Sequence, residues 1–267
     1  MPLRLTPHLR EQLAAAPRPL FGGWVCSSSP VMAEIMAGSG LDWVLIDMEH
    51  APSGLESTLA QLYAVSAYPV TPVVRVPAAD PVVIKQVLDL GARTILVPMV
   101  STPDQARTVA ESAQYPPAGC RGVGSALARS ARWNRAEGYL GDAADHVSVF
   151  VQIETAEGVK NAEAIAATPG IDGVFVGPSD LAASMGLLGQ QTHPDVMAAV
   201  HRAFEGVAAA RKPVGVNAFD PQAARDYADA GARFVLVGAD VALVARASEA
   251  LAATFIRDAG DGTRASY

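Results

Sequence analysis

Two carboxylates and one imidazole lie within the four-residue segment Asp47-Met-Glu-His50. They directly follow Trp43–Ile46, a short run of aromatic and β-branched residues that is typical of a buried strand. Charged groups are unfavourable in a core, but they are well placed for chemistry at the end of a rigid strand. Histidine has an ordinary pKa of about 6.5, so His50 is a candidate general base if a carboxylate orients it. Asp47 is near in sequence, and Asp89 could approach through packing or from a neighbouring subunit.

Two further carboxylates follow apolar runs later in the chain. Glu154 follows Val147–Ile153, and Asp180 comes soon after Ile171–Val176. Two partly buried carboxylates repel each other unless a positive charge lies between them, and few basic residues flank this pair. A divalent cation is therefore the favoured interpretation, and a pair of salt-bridged acids is the alternative. Oxygen ligands favour Mg²⁺ or Mn²⁺, with Co²⁺ as a further candidate.

Other polar residues stand near the ends of apolar runs. Arg75 lies among valines, where a guanidinium is unfavourable unless it meets an anion, either on a substrate or in a structural ion pair. The backbone amides of Gly177–Asp180 are suited to hold a carboxylate if they begin a helix. The candidates for substrate contact are Trp24, Gln152, Gly177, Ser179 and Asp180.

These residues are positioned by a regular alternation of short apolar runs and amphipathic segments. Strands are predicted at Phe21–Cys26, Trp43–Ile46, Pro72–Val76, Thr94–Val97, Val147–Ile153, Ile171–Val176, Val214–Asn217 and Phe234–Gly238. Helices are predicted at Thr6–Ala16, Pro30–Ala37, Leu55–Ala67, Asp80–Gly91, Thr102–Gln114, Ala156–Ala167, Pro194–Arg211, Pro221–Ala230 and Asp240–Arg257, with a short turn from Gly177 to Met185 and a disordered tail at 258–267.

Eight such units in about 250 residues predict a closed (β/α)8 TIM barrel, treated as a single domain over residues 1–267. Active sites of these barrels lie at the carboxyl ends of the strands, where the polar residues above would meet. A doubly wound sheet is the alternative, but no Gly-x-Gly-x-x-Gly follows the first strand, so no nucleotide cofactor is expected. The three lysines, Lys85, Lys160 and Lys212, fall in helices or before a strand, so no Schiff-base lysine is expected in the pocket.

The composition argues against several classes of partner. The net charge of −7 and pI near 5.2 disfavour a nucleic-acid or anionic-membrane surface. Cys26 and Cys120 give no disulfide framework, so a cytoplasmic location is expected. No apolar run approaches the length of a membrane span, and Met1–Leu20 lacks the apolar core of a secretory signal. The segment Tyr115–Asp145 breaks the alternation, and is either a functional loop, an interface or a solvated excursion.

Several stretches together resemble the class II pyruvate aldolases of the HpcH/HpaI family, whose members have the phosphoenolpyruvate/pyruvate type of barrel. They are Asp47-Met-Glu-His-Ala-Pro52, Pro98-Met-Val100, Tyr115-Pro-Pro-Ala-Gly-Cys-Arg-Gly-Val-Gly-Ser-Ala-Leu-Ala-Arg129, Gln152-Ile-Glu-Thr155 and Val176-Gly-Pro-Ser-Asp-Leu181, and the resemblance covers about residues 20–257. The segment Gly215-Val-Asn-Ala-Phe219 departs most from the family pattern, which leaves the preferred aldehyde open.

The resemblance implies roles for individual residues. Glu154 and Asp180 would be metal ligands, His50 the base and Arg75 the stabiliser of the transition-state oxyanion. Asp89 would raise the basicity of His50, Asp47 would assist from an adjacent subunit, and Gln152 and Ser179 would contact the substrate. The family further implies a homohexamer built as a trimer of dimers, with the last helix exchanged between subunits, and a place in aromatic-compound catabolism.

The implied reaction is metal-dependent aldol cleavage of a 4-hydroxy-2-oxo acid to pyruvate, or to hydroxypyruvate, and an aldehyde. A malyl- or citramalyl-thioester lyase is the nearest alternative. It needs a groove for coenzyme A, for which Arg129–Arg135 is the one basic candidate. A non-catalytic barrel that binds a 2-oxo acid is the alternative from another class.

Overall fold

A closed barrel of eight parallel strands forms the centre of the protein. The computed structural model describes residue 5 and residues 7–256. The strands pair in sequence order, and β8 pairs with β1 to close the barrel. They are β1 (Leu20–Val25), β2 (Trp43–Asp47), β3 (Thr71–Arg75), β4 (Thr94–Val97), β5 (Ser148–Ile153), β6 (Gly173–Val176), β7 (Val214–Asn217) and β8 (Phe234–Ala239).

Helices cover the outside of the barrel and one of its ends. They are α1 (Leu9–Ala15), α2 (Pro30–Ala37), α3 (Leu55–Val65), α4 (Pro81–Asp89), α5 (Pro103–Ala113), α6 (Ala156–Lys160), α7 (Ala162–Ala166), α8 (Pro178–Ser184), α9 (Pro194–Ala209), α10 (Pro221–Asp229) and α11 (Asp240–Phe255). Many begin with proline at a first-turn position behind a polar N-cap residue such as Ser29, Asp80 or Asp220, as their sequences indicate.

The predicted barrel is confirmed, and all eight predicted strands lie within two residues of the observed ones. Two local predictions are wrong. The helix predicted at Ala156–Ala167 is divided at Asn161, whose side-chain amide donates a hydrogen bond to the Ser101 carbonyl (2.8 Å). The short turn predicted after β6 is the helix α8. The predicted tail at 258–267 lies outside the described residues, as do Thr6 and Arg257.

The interior of the barrel is filled with large side chains rather than open. Trp43, Phe150 and Phe234 are buried in one cluster, and each ring packs against a glycine: Gly22, Gly173 and Gly215 respectively. A β-carbon at any of these glycines would clash with the ring, so the large ring and the missing side chain depend on each other.

The amino ends of the strands are closed by α1. Leu9 and Leu13 of this helix join the interior cluster. The backbone N–H of Leu9 donates to Thr94 Oγ1 (3.1 Å) at the start of β4. His8 Nδ1 lies 2.7 Å from Ser148 Oγ at the start of β5. The carboxyl ends of the strands are therefore the open end at which polar groups can gather.

The segment between α5 and β5 lies at the amino ends of the strands, because α5 ends there and β5 begins there. It contains two short 3₁₀ turns, Arg129–Ala131 and Ala143–His146. It also has a small buried cluster of its own: Ala131, Ala136, Tyr139 and Ala143. The long segment is thus an ordered excursion on the side opposite the strand ends that carry the polar residues.

Helix α11 stands out because its apolar residues are exposed. Among its sixteen residues only Asp240 is buried. The exposed apolar residues are Val241, Leu243, Val244, Leu251 and Phe255. Val31 and Ile35 of α2 are exposed as well, so a considerable apolar surface lies outside the core of this chain. No helix in residues 7–256 is long and apolar enough to cross a membrane.

Candidate active site

A buried ion pair joins the carboxyl ends of β2 and β3. Arg75 and Asp47 are direct partners in the register of these strands. The guanidinium donates from Nε and Nη2 to Asp47 Oδ1 and Oδ2, both at 2.8 Å. Both side chains are almost fully buried. This bidentate contact fixes the plane of the guanidinium, which a single hydrogen bond would leave free to rotate.

Trp24 of β1 completes the support of this guanidinium. The Arg75 guanidinium carbon lies 4.3 Å from the centre of the indole ring. The indole N–H in turn donates to Asn217 Oδ1 of β7 at 2.8 Å. The sequence suggested Trp24 as a substrate contact, whereas its described contacts are with Arg75 and Asn217. Arg75 meets an anion, as predicted, and in this chain that anion is a carboxylate of the protein.

Glu49 is a member of the site to which the sequence analysis gave no individual role. Its Oε2 lies 2.8 Å from Arg75 Nη1, in an ion pair without the alignment of a hydrogen bond. The same oxygen lies 3.8 Å from His50 Nε2. Burial raises the pKa of the Glu49 carboxyl, against the lowering effect of Arg75 and His50. The available signal was its position in the sequence, between Asp47 and His50.

His50 lies at the rim of the site and is exposed, with 65% of its side chain accessible. The carboxylate nearest to its ring within the chain is Glu49, not Asp47. Asp47 instead accepts hydrogen bonds from the backbone N–H groups of Glu49 (3.0 Å) and His50 (3.3 Å). Asp47 therefore shapes the turn that carries the imidazole and holds Arg75.

Glu154 is the buried carboxylate at the centre of the site, with 2% of the residue accessible. Its Oε1 accepts from the backbone N–H of Met99 (2.7 Å), and its Oε2 accepts from Gln152 Nε2 (2.5 Å). Burial raises the pKa of Glu154 to about 7. The hydrogen bonds from Met99 and Gln152 oppose this rise, and the nearby charges of Glu49 and Asp180 add to it.

Gly177 and Asp180 approach Glu154 from the end of β6. Ser179 and Asp180 lie exposed in the first turn of α8, so the expectation that Asp180 is partly buried is wrong. A β-carbon at Gly177 would lie 2.9 Å from Glu154 Oε2 and 3.0 Å from Gln152 Nε2. Glycine at this position therefore lets the backbone approach the buried carboxylate and amide closely.

Comparisons of the sequence and the fold with known proteins show which family this chain is similar to. The family model described as HpcH/HpaI aldolase/citrate lyase matches residues 20–247. The chain belongs to this family. The match includes every strand of the barrel and all of the site residues described above.

Individual relatives of this family cover nearly the whole chain. A hydroxypyruvate/pyruvate aldolase of Deinococcus radiodurans is 50% identical over 256 residues, which is 95% of this chain and 92% of that protein. A 4-hydroxy-2-oxo-heptane-1,7-dioate aldolase of Escherichia coli is 51% identical over 240 residues, 90% of this chain and 92% of that protein. The crystal structure of a family protein from Burkholderia cenocepacia J2315 is 43% identical, has a TM-score of 0.88, and covers 94% of this chain and 99% of that one.

Asp89 lies away from the candidate active site of its own chain. Helix α4 runs from the carboxyl end of β3 to the amino end of β4, and Asp89 is its last residue. Its carboxylate is paired with Arg121 Nη2 at 2.8 Å. A contact between Asp89 and His50 of the same chain is therefore excluded by the fold. A contact across a subunit boundary stays a prediction.

The three lysines do not reach the site. Lys85 and Lys160 lie on α4 and α6, and Lys212 lies before β7, where its ammonium donates to the carbonyl of Ile171 (2.7 Å). None projects from a strand into the barrel mouth, which is where a Schiff-base lysine would have to lie.

The site has a deficit of positive charge that a divalent cation would offset. The carboxylates of Asp47, Glu49, Glu154 and Asp180 face a single guanidinium, that of Arg75. Gln152 Oε1 is buried without a hydrogen-bond partner among the described residues. Within residues 7–256, no three His, Cys, Asp or Glu side chains cluster as a complete ligand set. The donors thus fit a hard cation held by two carboxylates, with its other positions left to water and substrate.

The raised pKa of Glu154 predicts how stability responds to pH. The folded state binds this proton more tightly than the unfolded state, whose glutamates titrate near 4.5. The ionised carboxylate therefore destabilises the fold. The stability that protonated Glu154 contributes is fully present below pH 4.5 and is lost as pH rises to about 7. In EDTA, the Glu154→Gln variant should not lose stability in this way. Its free energy of unfolding at pH 8 should therefore exceed that of the wild type by ~3 kcal/mol.

Urea unfolding between pH 4.5 and pH 8 would measure this difference. Glu205→Gln, on the exposed side of α9, is the matched control and should follow the wild-type profile. Parallel profiles for Glu154→Gln and the wild type would mean that Glu154 is not held in a destabilising ionised state.

Proposed function

We propose that this protein is a divalent-metal-dependent aldolase that cleaves 4-hydroxy-2-oxo acids to pyruvate, or to hydroxypyruvate, and an aldehyde. Family membership and the names of its close relatives support aldol cleavage with these products. The observation that carries the metal dependence is the crowding of Glu49, Glu154 and Asp180 beside a single guanidinium.

Glu154 and Asp180 are the residues that would hold the cation, and Mg²⁺, Mn²⁺ and Co²⁺ are the candidates. When bound, the cation supplies Lewis-acid stabilisation of negative charge on the 2-oxo acid. Gln152 fixes one oxygen of Glu154 through its amide nitrogen, and its unpartnered Oε1 is available to a ligand. Ser179, exposed in the first turn of α8, would contact the carboxylate of the substrate.

Arg75 stabilises the charge that develops on the 4-hydroxyl oxygen as its proton leaves. Its guanidinium is held rigidly by Asp47, Glu49 and Trp24, so little reorganisation is needed during the reaction. A guanidinium has five N–H donors, and these protein contacts leave donors on Nη1 and Nη2 for the substrate.

His50 takes and returns protons at the rim, beside Glu49. The exposed imidazole can exchange protons with solvent. Asp89 could raise the basicity of His50 only if another subunit brings it to the ring, because it lies at the opposite end of its own barrel.

The thioester-lyase alternative is less well supported. Its candidate groove for coenzyme A, Arg129–Arg135, lies in the segment at the amino ends of the strands. Arg129 is engaged there, with its guanidinium 4.7 Å from the centre of the Tyr63 ring and a hydrogen bond to the Leu90 carbonyl (3.0 Å). A non-catalytic barrel that binds a 2-oxo acid differs from both because it predicts binding without turnover.

We further propose that a second copy of the chain covers α11, as expected of a homohexamer in the cytoplasm. An amphipathic helix with Leu243, Leu251 and Phe255 exposed is not stable on its own in water. Exchange of this helix between subunits would bury that surface. Asp240, at its start, accepts from the N–H groups of Cys26 and Ser27, which ties the helix to the β1 end of the site.

Turnover tests the proposed function directly. Cleavage of 4-hydroxy-2-oxoheptanedioate, followed as pyruvate release, should require Mg²⁺ or Mn²⁺ and should stop in EDTA. Glu154→Ala should lower kcat/KM by at least about 100-fold, since it removes a ligand to the cation. Glu205→Gln should retain wild-type activity. Full activity of metal-stripped wild-type protein would refute the metal dependence, and saturable binding without cleavage would favour the binding barrel.

Light scattering during size-exclusion chromatography tests the role of α11. The wild type should elute as an oligomer. Leu243→Asp places a charge on the surface that we expect to be covered, so the measured mass should fall. Met197→Asp, at a partly exposed apolar position of α9, is the control and should leave the mass unchanged. An unaltered mass for Leu243→Asp would show that α11 is not part of the interface.

A further inference from the structure

Met99 has a backbone conformation that its side chain does not explain. Its φ angle is +59°, in the left-handed region that residues other than glycine rarely adopt. Its side chain is half exposed, so tight packing does not hold it there. Such an unfavourable conformation persists when the surrounding structure imposes it, and it is often found at functional sites.

The conformation of Met99 redirects its backbone N–H. Regular pairing of β4 with β5 ends at Val97 and Val151. Pro98 follows and has no N–H to donate. The N–H of Val100 then donates to the carbonyl of Gln152 (3.0 Å), so the chain bulges at Pro98 and Met99 before pairing resumes. In this bulge the Met99 N–H donates to Glu154 Oε1 (2.7 Å).

We propose that Met99 is a positioning residue for the cation site, acting through its backbone amide rather than its side chain. The left-handed bulge delivers an N–H to Oε1 of Glu154, while Gln152 donates to Oε2. Together the two donors fix the plane of the carboxylate and leave one lone pair of each oxygen for a cation. The inference rests on the proposed metal dependence and adds a determinant of metal affinity outside the ligand set.

Substitutions at Met99 can separate the backbone role from a side-chain role. Met99→Gly removes the side chain but keeps the amide, and glycine enters the left-handed region freely. Met99→Ile keeps an apolar side chain of similar size, but a β-branched residue is strongly disfavoured there. Met99→Pro removes the donor and fixes φ in the wrong region.

Calorimetric titration of metal-stripped, full-length protein with Mn²⁺ is the test. The wild type should bind Mn²⁺, and Glu154→Gln should bind it much more weakly. Loss of a contact that orients a ligand typically weakens metal binding by about 10- to 100-fold, which we expect for Met99→Ile and Met99→Pro. Met99→Gly should remain within a few-fold of the wild type. Wild-type affinity in Met99→Ile, or equal weakening in Met99→Gly, would overturn the proposal.

A second measurement does not require that Met99→Ile or Met99→Pro folds. It also tests the contact of Met99 with Glu154 separately from the proposed metal dependence. The protein labelled with ¹⁵N-methionine has seven methionines, and the Met99 amide signal is the one absent from Met99→Gly. This signal should shift in Glu154→Gln and stay in place in Glu205→Gln. An unmoved signal in Glu154→Gln would refute the hydrogen bond. If the signal shifts but the wild type binds no Mn²⁺, the metal dependence fails while the contact stands.

Discussion

The electrostatic crowding of carboxylates at the open end of the barrel is the constraint on which the rest of the site depends. Glu154 is buried away from water, and both Glu49 and Asp180 raise the free energy of its ionised form. Arg75 cannot neutralise all of them, because Asp47 already occupies two of its nitrogens. The arrangement is best explained by a positively charged ligand, which gives a reason for retaining groups that are unfavourable in its absence.

The barrel holds the polar groups of the site at the carboxyl ends of its strands, at the opposite end from α1. The amino end and interior carry the packing, with aromatic rings against glycines and α1 over the strand starts. At the carboxyl ends, Met99 has a left-handed backbone conformation and Gln152 Oε1 has no hydrogen-bond partner among the described residues. The strands hold these groups in fixed relative positions, as a site needs when several side chains must meet one small substrate.

Much of this arrangement could be predicted from the sequence, because local patterns fix strands and their ends. The apolar run before Asp47, and those before Glu154 and Asp180, placed these carboxylates at strand ends, and the eight-fold alternation placed the strand ends together. The resemblance to the HpcH/HpaI family added candidate roles for residues whose positions alone left alternatives open, and those roles remain proposals.

What could not be predicted depends on contacts between distant segments. The partner of the Met99 amide is 55 residues away, and no local pattern indicates a left-handed bulge at a methionine. Asp47 seemed a partner for the imidazole of His50, but its side chain is occupied by Arg75 across the β2–β3 pairing. Asp89 was assigned to the site by resemblance, and only the direction of α4 shows that it cannot reach His50 of its own chain.

Proton removal from the 2-oxo acid is the central step of the proposed reaction, and it can be observed without knowing the aldehyde. Proton NMR of pyruvate in D₂O would follow loss of the methyl signal with the wild-type protein and Mg²⁺, then with EDTA. We predict exchange that requires Mg²⁺ and is absent in Glu154→Ala. Exchange that continues undiminished in EDTA, or none with Mg²⁺, Mn²⁺ or Co²⁺, would contradict a metal-dependent pyruvate aldolase.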